Sequence, residues 1–102
     1  MNSEKTIIKV EDVESVVSEY VGIPVSEIRG KNTKSAFVKA RHFSIYLLHT
    51  KYGFTGGELS KIYSTTRHRI FDICAQIRGY AQVDAIYRAE LNEVQKLIDD
   101  RF

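Results

Sequence analysis

Residues 55–77 read TGGELSKIYSTTRHRIFDICAQI and decide the fold of this chain. The stretch opens with Thr55-Gly-Gly-Glu58, a capping box in which each end side chain satisfies the free amide of the other residue. A short apolar helix should follow, carrying Leu59, Ile62 and Tyr63. A second helix is indicated by apolar residues at i, i+1, i+3, i+4 and i+7, namely Ile70, Phe71, Ile73, Cys74 and Ile77. Tyr63, Ile70 and Phe71 are expected in the core on either side of the turn. Two such helices joined by a tight polar turn predict a helix-turn-helix.

The polar residues of this stretch lie where such a motif reads DNA. The second helix of the motif enters the major groove, and its first residues contact base edges. Here five polar residues precede the first core residue: Thr65, Thr66, Arg67, His68 and Arg69. Arginine can bond bidentately to guanine, and threonine offers a hydroxyl and a methyl group. Either Ser64 or Thr65 is expected to cap the second helix.

Arginines at a helix start are unusual because the helix dipole disfavours cations there. A bound phosphate would reverse that penalty, since free amides at a helix start attract anions. The alternative is that the turn is only capped and solvated. The placement of Arg67 and Arg69 favours a phosphate-rich partner.

Helical spacing dominates the rest of the chain, and no run alternates with period two. A first helix lies near residues 10–21 and is expected to stop at Gly22. A long helix should run from a cap at Ser35 towards Gly53, and Gly79 could end the helix that carries Ile70, Ile73 and Ile77. We therefore predict an all-α helical bundle in one domain, 1–102, with a core of about 10–80 and an amphipathic C-terminal helix of about 81–102.

Charge is distributed unevenly. Residues 29–80 carry ten Lys or Arg side chains against two acids, whereas residues 1–28 and 81–102 are net acidic. A basic middle attracts polyanions, of which nucleic acid is the commonest. The alternative is a solvated basic face with no partner.

The sequence gives little support for a disulfide, a metal site or a catalytic site. Cys74 is the single cysteine, so no intrachain disulfide can form, and the histidines and Cys74 show no metal-ligand spacing. The basic segment has no paired carboxylates, and no phosphate-loop motif occurs. We expect no catalytic residue, metal, nucleotide or other cofactor. No apolar run is long enough for a signal peptide or a membrane span, which predicts a soluble cytoplasmic protein without a membrane partner.

Residues from about 10 to 80 resemble a known family. They are similar to the C-terminal DNA-binding domain (domain IV) of the bacterial replication initiator DnaA, a helix-turn-helix related to that of the Trp repressor. The resemblance rests on VVSEYVGIPVSEIRGK (16–31), VKARHFSIYLL (38–48), GGELSKIYS (56–64) and TTRHRIFDICAQI (65–77), in that order and spacing.

The resemblance implies roles for further residues. Lys39 falls where the family has an arginine that reaches the minor groove, Arg41 matches the next basic position, and His42 stands where glutamine is usual. Lys31 and Lys34 lie in a basic loop where the family contacts phosphates. His68 would match the signature histidine. The expected DNA-binding residues are therefore Lys31, Lys34, Lys39, Arg41, His42, Thr65, Thr66, Arg67, His68 and Arg69.

Residues 64–69 depart from the family signature by being one residue shorter and by lacking its glycines, its acid and the threonine pair after histidine. Because of these departures, the resemblance does not extend to the family's target sequence. Double-stranded DNA is the expected partner, in replication initiation or transcription control, with a possible homodimer through the C-terminal helix. A helical protein-interaction module and an RNA binder stay open. The chain is either free-standing or part of a longer protein.

Overall fold

The structure is a computed structural model that describes residues 8–102. In order, it contains α1 (Val10–Val21), a 3₁₀ turn (Val25–Glu27), α2 (Ser35–Thr50), α3 (Gly56–Ile62), α4 (Arg67–Val83) and α5 (Ala85–Arg101). Within the described range no strand is present, so the predicted all-α class is confirmed. No helix in that range is long and apolar enough to cross a membrane.

The core is centred on α2, which packs against α1 on one side and α4 on the other. Its large side chains Phe43, Leu47 and Leu48 are buried. They meet apolar residues from all the other α-helices: Val13, Val17, Leu59, Ile70, Ile77, Val94 and Ile98. Each such side chain contributes roughly 1.5–3 kcal/mol when fully buried.

Helix α5 lies across α1 and α4. It buries Leu91, Val94 and Ile98, and Tyr87 meets Phe43 edge to face with ring centroids 5.4 Å apart. The apolar stripe predicted for the C-terminal helix therefore packs on the bundle, which is the common fate of an amphipathic helix.

Two predicted helix ends are confirmed. Gly22 follows α1 with φ 93°, a left-handed conformation that glycine adopts without steric cost. The capping box is also present. The Glu58 amide donates to Thr55 Oγ1 at 3.0 Å, and the Thr55 amide donates to Glu58 Oε1 at 2.8 Å.

Two other predicted helix ends are wrong. Ser35 is the first residue of α2 rather than its cap, and the Lys34 amide before it donates to Asn32 Oδ1 at 2.9 Å. Gly79 does not end α4, which continues to Val83. The boundary lies at Asp84, which caps the next helix. Asp84 Oδ1 accepts from the amides of Ile86 and Tyr87, each at 3.0 Å, and so starts α5.

Candidate nucleic-acid interface

Helices α3 and α4 form the helix-turn-helix, and Thr66 is the residue that caps α4. Its Oγ1 accepts from the Arg69 amide at 3.0 Å. The expected caps, Ser64 and Thr65, are wrong because both residues close α3 instead. Ser64 takes a left-handed φ of 53°, and the Thr65 amide donates to the Ser60 carbonyl at 2.8 Å. Ser64 and Thr65 therefore belong to the end of α3, and the cap of α4 is the next residue, Thr66.

The first turn of α4 presents its side chains to solvent. Arg67, His68 and Arg69 are exposed, and the His68 side chain is 88% exposed. His68 Nε2 lies 3.5 Å from Asp72 Oδ2 on the same helix. Three nitrogen-rich side chains thus project from the positive end of the helix dipole, the geometry that a bound phosphate or base edge would stabilise.

A small cleft brings together predicted site residues from three parts of the chain. It has a volume of about 140 Å³, and its lining includes Lys31, Arg41, His42, Thr65 and Arg69. Lys31 Nζ donates to the Ser64 carbonyl at 3.1 Å, so the basic loop before α2 touches the turn of the motif. Loop and helix therefore form one continuous basic surface.

Arg41 acts inside this surface as a structural tie. Its Nε donates to the Ile28 carbonyl at 3.0 Å, and its Nη2 donates to the Asn32 carbonyl at 3.1 Å. Burial lowers the pKa of Arg41 from its ordinary value. The guanidinium thus pairs with two backbone carbonyls of the loop, and these bonds fix the path of the loop.

His42 sits half-buried in the same cleft. Its burial, together with the nearby Arg69 and Arg41 guanidinium groups, lowers its pKa to about 4. The imidazole is therefore neutral at pH 7. A neutral ring adds no charge to the surface but can offer one donor and one acceptor.

Lys39 and Lys34 are not drawn into this cleft. Lys39 Nζ forms an ion pair with Glu90 Oε1 of α5 and lies over the Phe43 ring. It lines a larger groove of about 710 Å³ between α1, α2, α4 and α5, which shares His42 with the small cleft. Lys34 is exposed just before α2. The side chain of Lys39 would have to leave Glu90 before it could reach a ligand.

The apolar residues that flank the turn divide into buried and exposed. Tyr63 and Ile70 are buried, as the spacing predicted. Phe71 was expected in the core but is 50% exposed. Its ring instead covers Gly56, where an added Cβ would come within 2.8 Å of Phe71 Cζ. The glycine at the start of α3 therefore makes room for this ring.

Glu14 is a buried group that the local sequence pattern did not predict, since its charge only adds to the acidic N-terminal part of the chain. Glu14 is 3% exposed. Its carboxylate accepts from Arg29 Nε and Nη2, each at 2.8 Å, and from Tyr63 Oη at 2.7 Å. Burial, and next the negative charge of Glu14, raise the pKa of Tyr63. Its position in the sequence could have indicated this burial, because Glu14 lies four residues after Val10 on the apolar stripe of α1.

No group of three or more His, Cys, Asp or Glu side chains in residues 8–102 could hold a metal ion. Cys74 is buried on the apolar face of α4, and burial raises the pKa of its thiol.

Comparison with known proteins also identifies a helix-turn-helix in this chain. Residues 10–70 match the family model described as the bacterial dnaA protein helix-turn-helix. The chain is similar to the chromosomal replication initiator protein DnaA of Bacteroides thetaiotaomicron, at 24% identity over 96% of this chain and 21% of that protein. It is also similar to the proteins of the same name from Bacteroides fragilis, at 25% identity over 96% and 21%, and Acholeplasma laidlawii, at 20% over 85% and 20%.

The family match covers more than half of the chain, and the resemblance seen in the sequence is confirmed. The chain spans about a fifth of the length of the curated relatives it matches. It belongs to the bacterial DnaA helix-turn-helix family.

Proposed function

We propose that this member of the bacterial DnaA helix-turn-helix family binds double-stranded DNA, with α4 in the major groove and the loop of residues 28–34 on the phosphate backbone. The observation that carries the proposal is the exposed start of α4. Arg67, His68 and Arg69 project there from a capped helix, beside a basic loop that Lys31 joins to the turn. Its relatives are named as replication initiators, so we place this DNA binding in replication initiation.

The proposed roles follow from exposure and existing bonds. Arg67, His68 and Arg69 would contact base edges, as exposed residues at the start of a recognition helix do. Lys31 and Lys34 would contact phosphates, which fix position and carry no sequence information. Three further residues would support this surface: Arg41 by holding the loop, His42 and Thr65 by lining the cleft.

Two of the predicted DNA-binding residues, Thr66 and Lys39, already form bonds within the protein. Thr66 uses its hydroxyl as the α4 cap, so it would act on DNA mainly by orienting the helix and its amides. Lys39 would exchange its bond to Glu90 for a DNA contact. We propose that recognition is sequence-specific, because guanidinium groups at the start of a recognition helix can discriminate guanine.

The organisation of the domain is part of the proposal. Residues of about 10–80 would form the DNA-binding core of one domain, with the C-terminal helix packed on it. A homodimer through that helix would cover Ile86 near its start and the adjacent Val83 at the end of α4, which are 76% and 84% exposed at the α4–α5 corner. The same corner is what favours the alternative function, a helical protein-interaction module.

Fluorescence anisotropy with a labelled duplex tests the function. The duplexes should first be selected by the protein from a random library and then titrated between about 50 and 200 mM salt. We expect binding that weakens steeply with salt and exceeds the affinity for an unrelated duplex. Absence of binding to any duplex at low salt would reject the proposal, and tighter binding to an RNA hairpin of the same length would replace DNA by RNA.

A further inference from the structure

We propose that Glu14, Arg29 and Tyr63 form a positioning triad that sets the distance and angle between the two DNA-contacting elements, the loop of residues 28–34 and the start of α4. The inference rests on the proposed function and adds positioning residues to it. None of the three side chains needs to touch DNA for this role.

A single carboxylate joins three separate segments of the chain. Glu14 belongs to α1, Arg29 to the loop and Tyr63 to the end of α3. The guanidinium of Arg29 grips both carboxylate oxygens at 2.8 Å, the two-bond arrangement that is most restrictive in angle. Tyr63 Oη donates to Glu14 Oε2 from the other side at 2.7 Å.

The triad ends where the DNA-contacting elements begin. Arg29 is two residues before Lys31, and Tyr63 immediately precedes Ser64. Lys31 Nζ and the Ser64 carbonyl are themselves bonded at 3.1 Å. Glu14 therefore holds both sides of the contact between loop and turn. Helix α4 begins at Arg67, three residues after Ser64.

Stability alone is a poor reason for this arrangement. Burying a carboxylate is costly, and well-packed apolar residues of similar volume often serve the fold as well or better. An apolar replacement would not impose the fixed angles of a bidentate guanidinium and a phenol on one carboxylate. Precise placement of two surface elements is what the polar network adds to the core.

The test compares two tyrosines that each donate to a carboxylate. Tyr63→Phe removes one hydroxyl, keeps the ring in the core and leaves both Arg29–Glu14 bonds in place. The matched control is Tyr52→Phe. Tyr52 lies just after α2, and its Oη donates to Asp99 Oδ1 of α5 at 3.0 Å, so this bond involves neither the loop of residues 28–34 nor the turn before α4. Arg29→Lys is the second variant; it keeps the positive charge and loses the two-bond grip.

We expect Tyr63→Phe and Arg29→Lys to weaken binding to the selected duplex about fivefold, which corresponds to ~1 kcal/mol, and Tyr52→Phe to change it less than about twofold. The slope of affinity against salt should stay the same, because no phosphate contact is lost. Amide chemical shifts should change at Lys31 and at residues 64–69 in both triad variants. Their thermal midpoints are measured so that binding is compared well below unfolding.

The proposal is overturned if both triad variants bind like the wild type, or if Tyr52→Phe loses as much affinity as they do. It is also overturned if the amide shifts stay confined to the immediate neighbours of the substituted residue. If the wild type binds no duplex, the proposed function fails, and the shift pattern at Lys31 and residues 64–69 still decides whether the triad positions these elements.

Discussion

Helices α3 and α4 begin with the same cap and with opposite charges. In both, a threonine Oγ1 accepts from the amide three residues later at 3.0 Å: Glu58 to Thr55, and Arg69 to Thr66. At α3 the third residue is Glu58, whose carboxylate returns a bond to the cap amide and suits the helix dipole. At α4 the third residue is Arg69, which can do neither.

At α3 the charge of the first turn favours stability, whereas at α4 the charge would favour the anionic ligand of the proposed function. An acid in the first turn is typically worth 0.3–1 kcal/mol, and a cation there forgoes this gain. The two starts share a backbone geometry, so the charge at α4 is not a consequence of the fold. Under the proposed function, it is the cost of presenting cations to DNA phosphates.

Arg69→Glu should have the largest effect, because it gives α4 the Thr-x-x-Glu pattern of α3. We expect duplex affinity to fall about 100-fold, or ~3 kcal/mol, through loss of the guanidinium and repulsion of phosphate. The free energy of unfolding should rise by roughly 0.5–1 kcal/mol. Anisotropy and urea denaturation measure the two quantities. Glu58→Gln is the control, expected to lower stability with unchanged binding, and wild-type affinity in Arg69→Glu would contradict the comparison.

Arg67→Ala should come next. Loss of a bidentate guanine contact costs roughly 1–3 kcal/mol and relaxes the preference at one position of the site. A selection from a random duplex library, followed by titration, measures both changes. Arg78→Ala removes the same charge from the exposed later part of α4, and equal losses in the two variants would show that only net charge matters.

Thr55→Ala and Thr66→Ala test whether the two caps differ in function. Each should lower the free energy of unfolding by about 1 kcal/mol, since each removes a side-chain cap. Only Thr66→Ala should also weaken duplex binding, by a few-fold, because it loosens the first turn of α4. Equal binding by both variants would show that the α4 cap serves the fold alone.

Lys31→Ala should weaken binding to selected and unrelated duplexes about equally. A phosphate contact carries no sequence information, and its loss should reduce the salt slope by about one unit. Lys34→Ala should behave in the same way. Lys96→Ala on α5 is the control, and a changed sequence preference in Lys31→Ala would instead indicate that this loop reads bases.

The smallest effect concerns pH and His42, whose pKa is lowered by burial and next by the Arg69 and Arg41 guanidinium groups. Its folded pKa of about 4 lies below the ordinary 6.5, so the unfolded chain binds this proton first. Its contribution to stability should be full above pH 6.5 and lost progressively as pH falls towards 4. Thermal midpoints across this range should fall less steeply in His42→Gln than in the wild type or in the exposed control His68→Gln. Identical slopes in all three would show that neither burial nor the Arg69 and Arg41 guanidinium groups lower the pKa of His42.

Much of this fold follows from local rules. Apolar spacing gave the helices and the helix-turn-helix, and the Thr55–Glu58 pattern gave the start of α3. These features depend on residues within a few positions of one another, where sequence distance and spatial distance agree. The same rules could identify Arg67, His68 and Arg69 as exposed, since all three precede the first buried residue of α4.

Other features were decided only when distant segments met. Ser64 could cap a helix in isolation, but the close of α3 placed it in a left-handed turn and moved the cap to Thr66. Phe71 has core spacing, yet the glycine at the start of α3 gives its ring a place at the surface.

The sequence by itself determined the class of fold, the motif and the charge of its exposed start. Tertiary structure decided which charged groups are committed elsewhere: Glu14 to Arg29 and Tyr63, Lys39 to Glu90, and Arg41 to the loop carbonyls. The reason is physical, because helix caps and apolar stripes form between near neighbours. The partner of a buried or paired charge is set by packing between elements far apart in the chain.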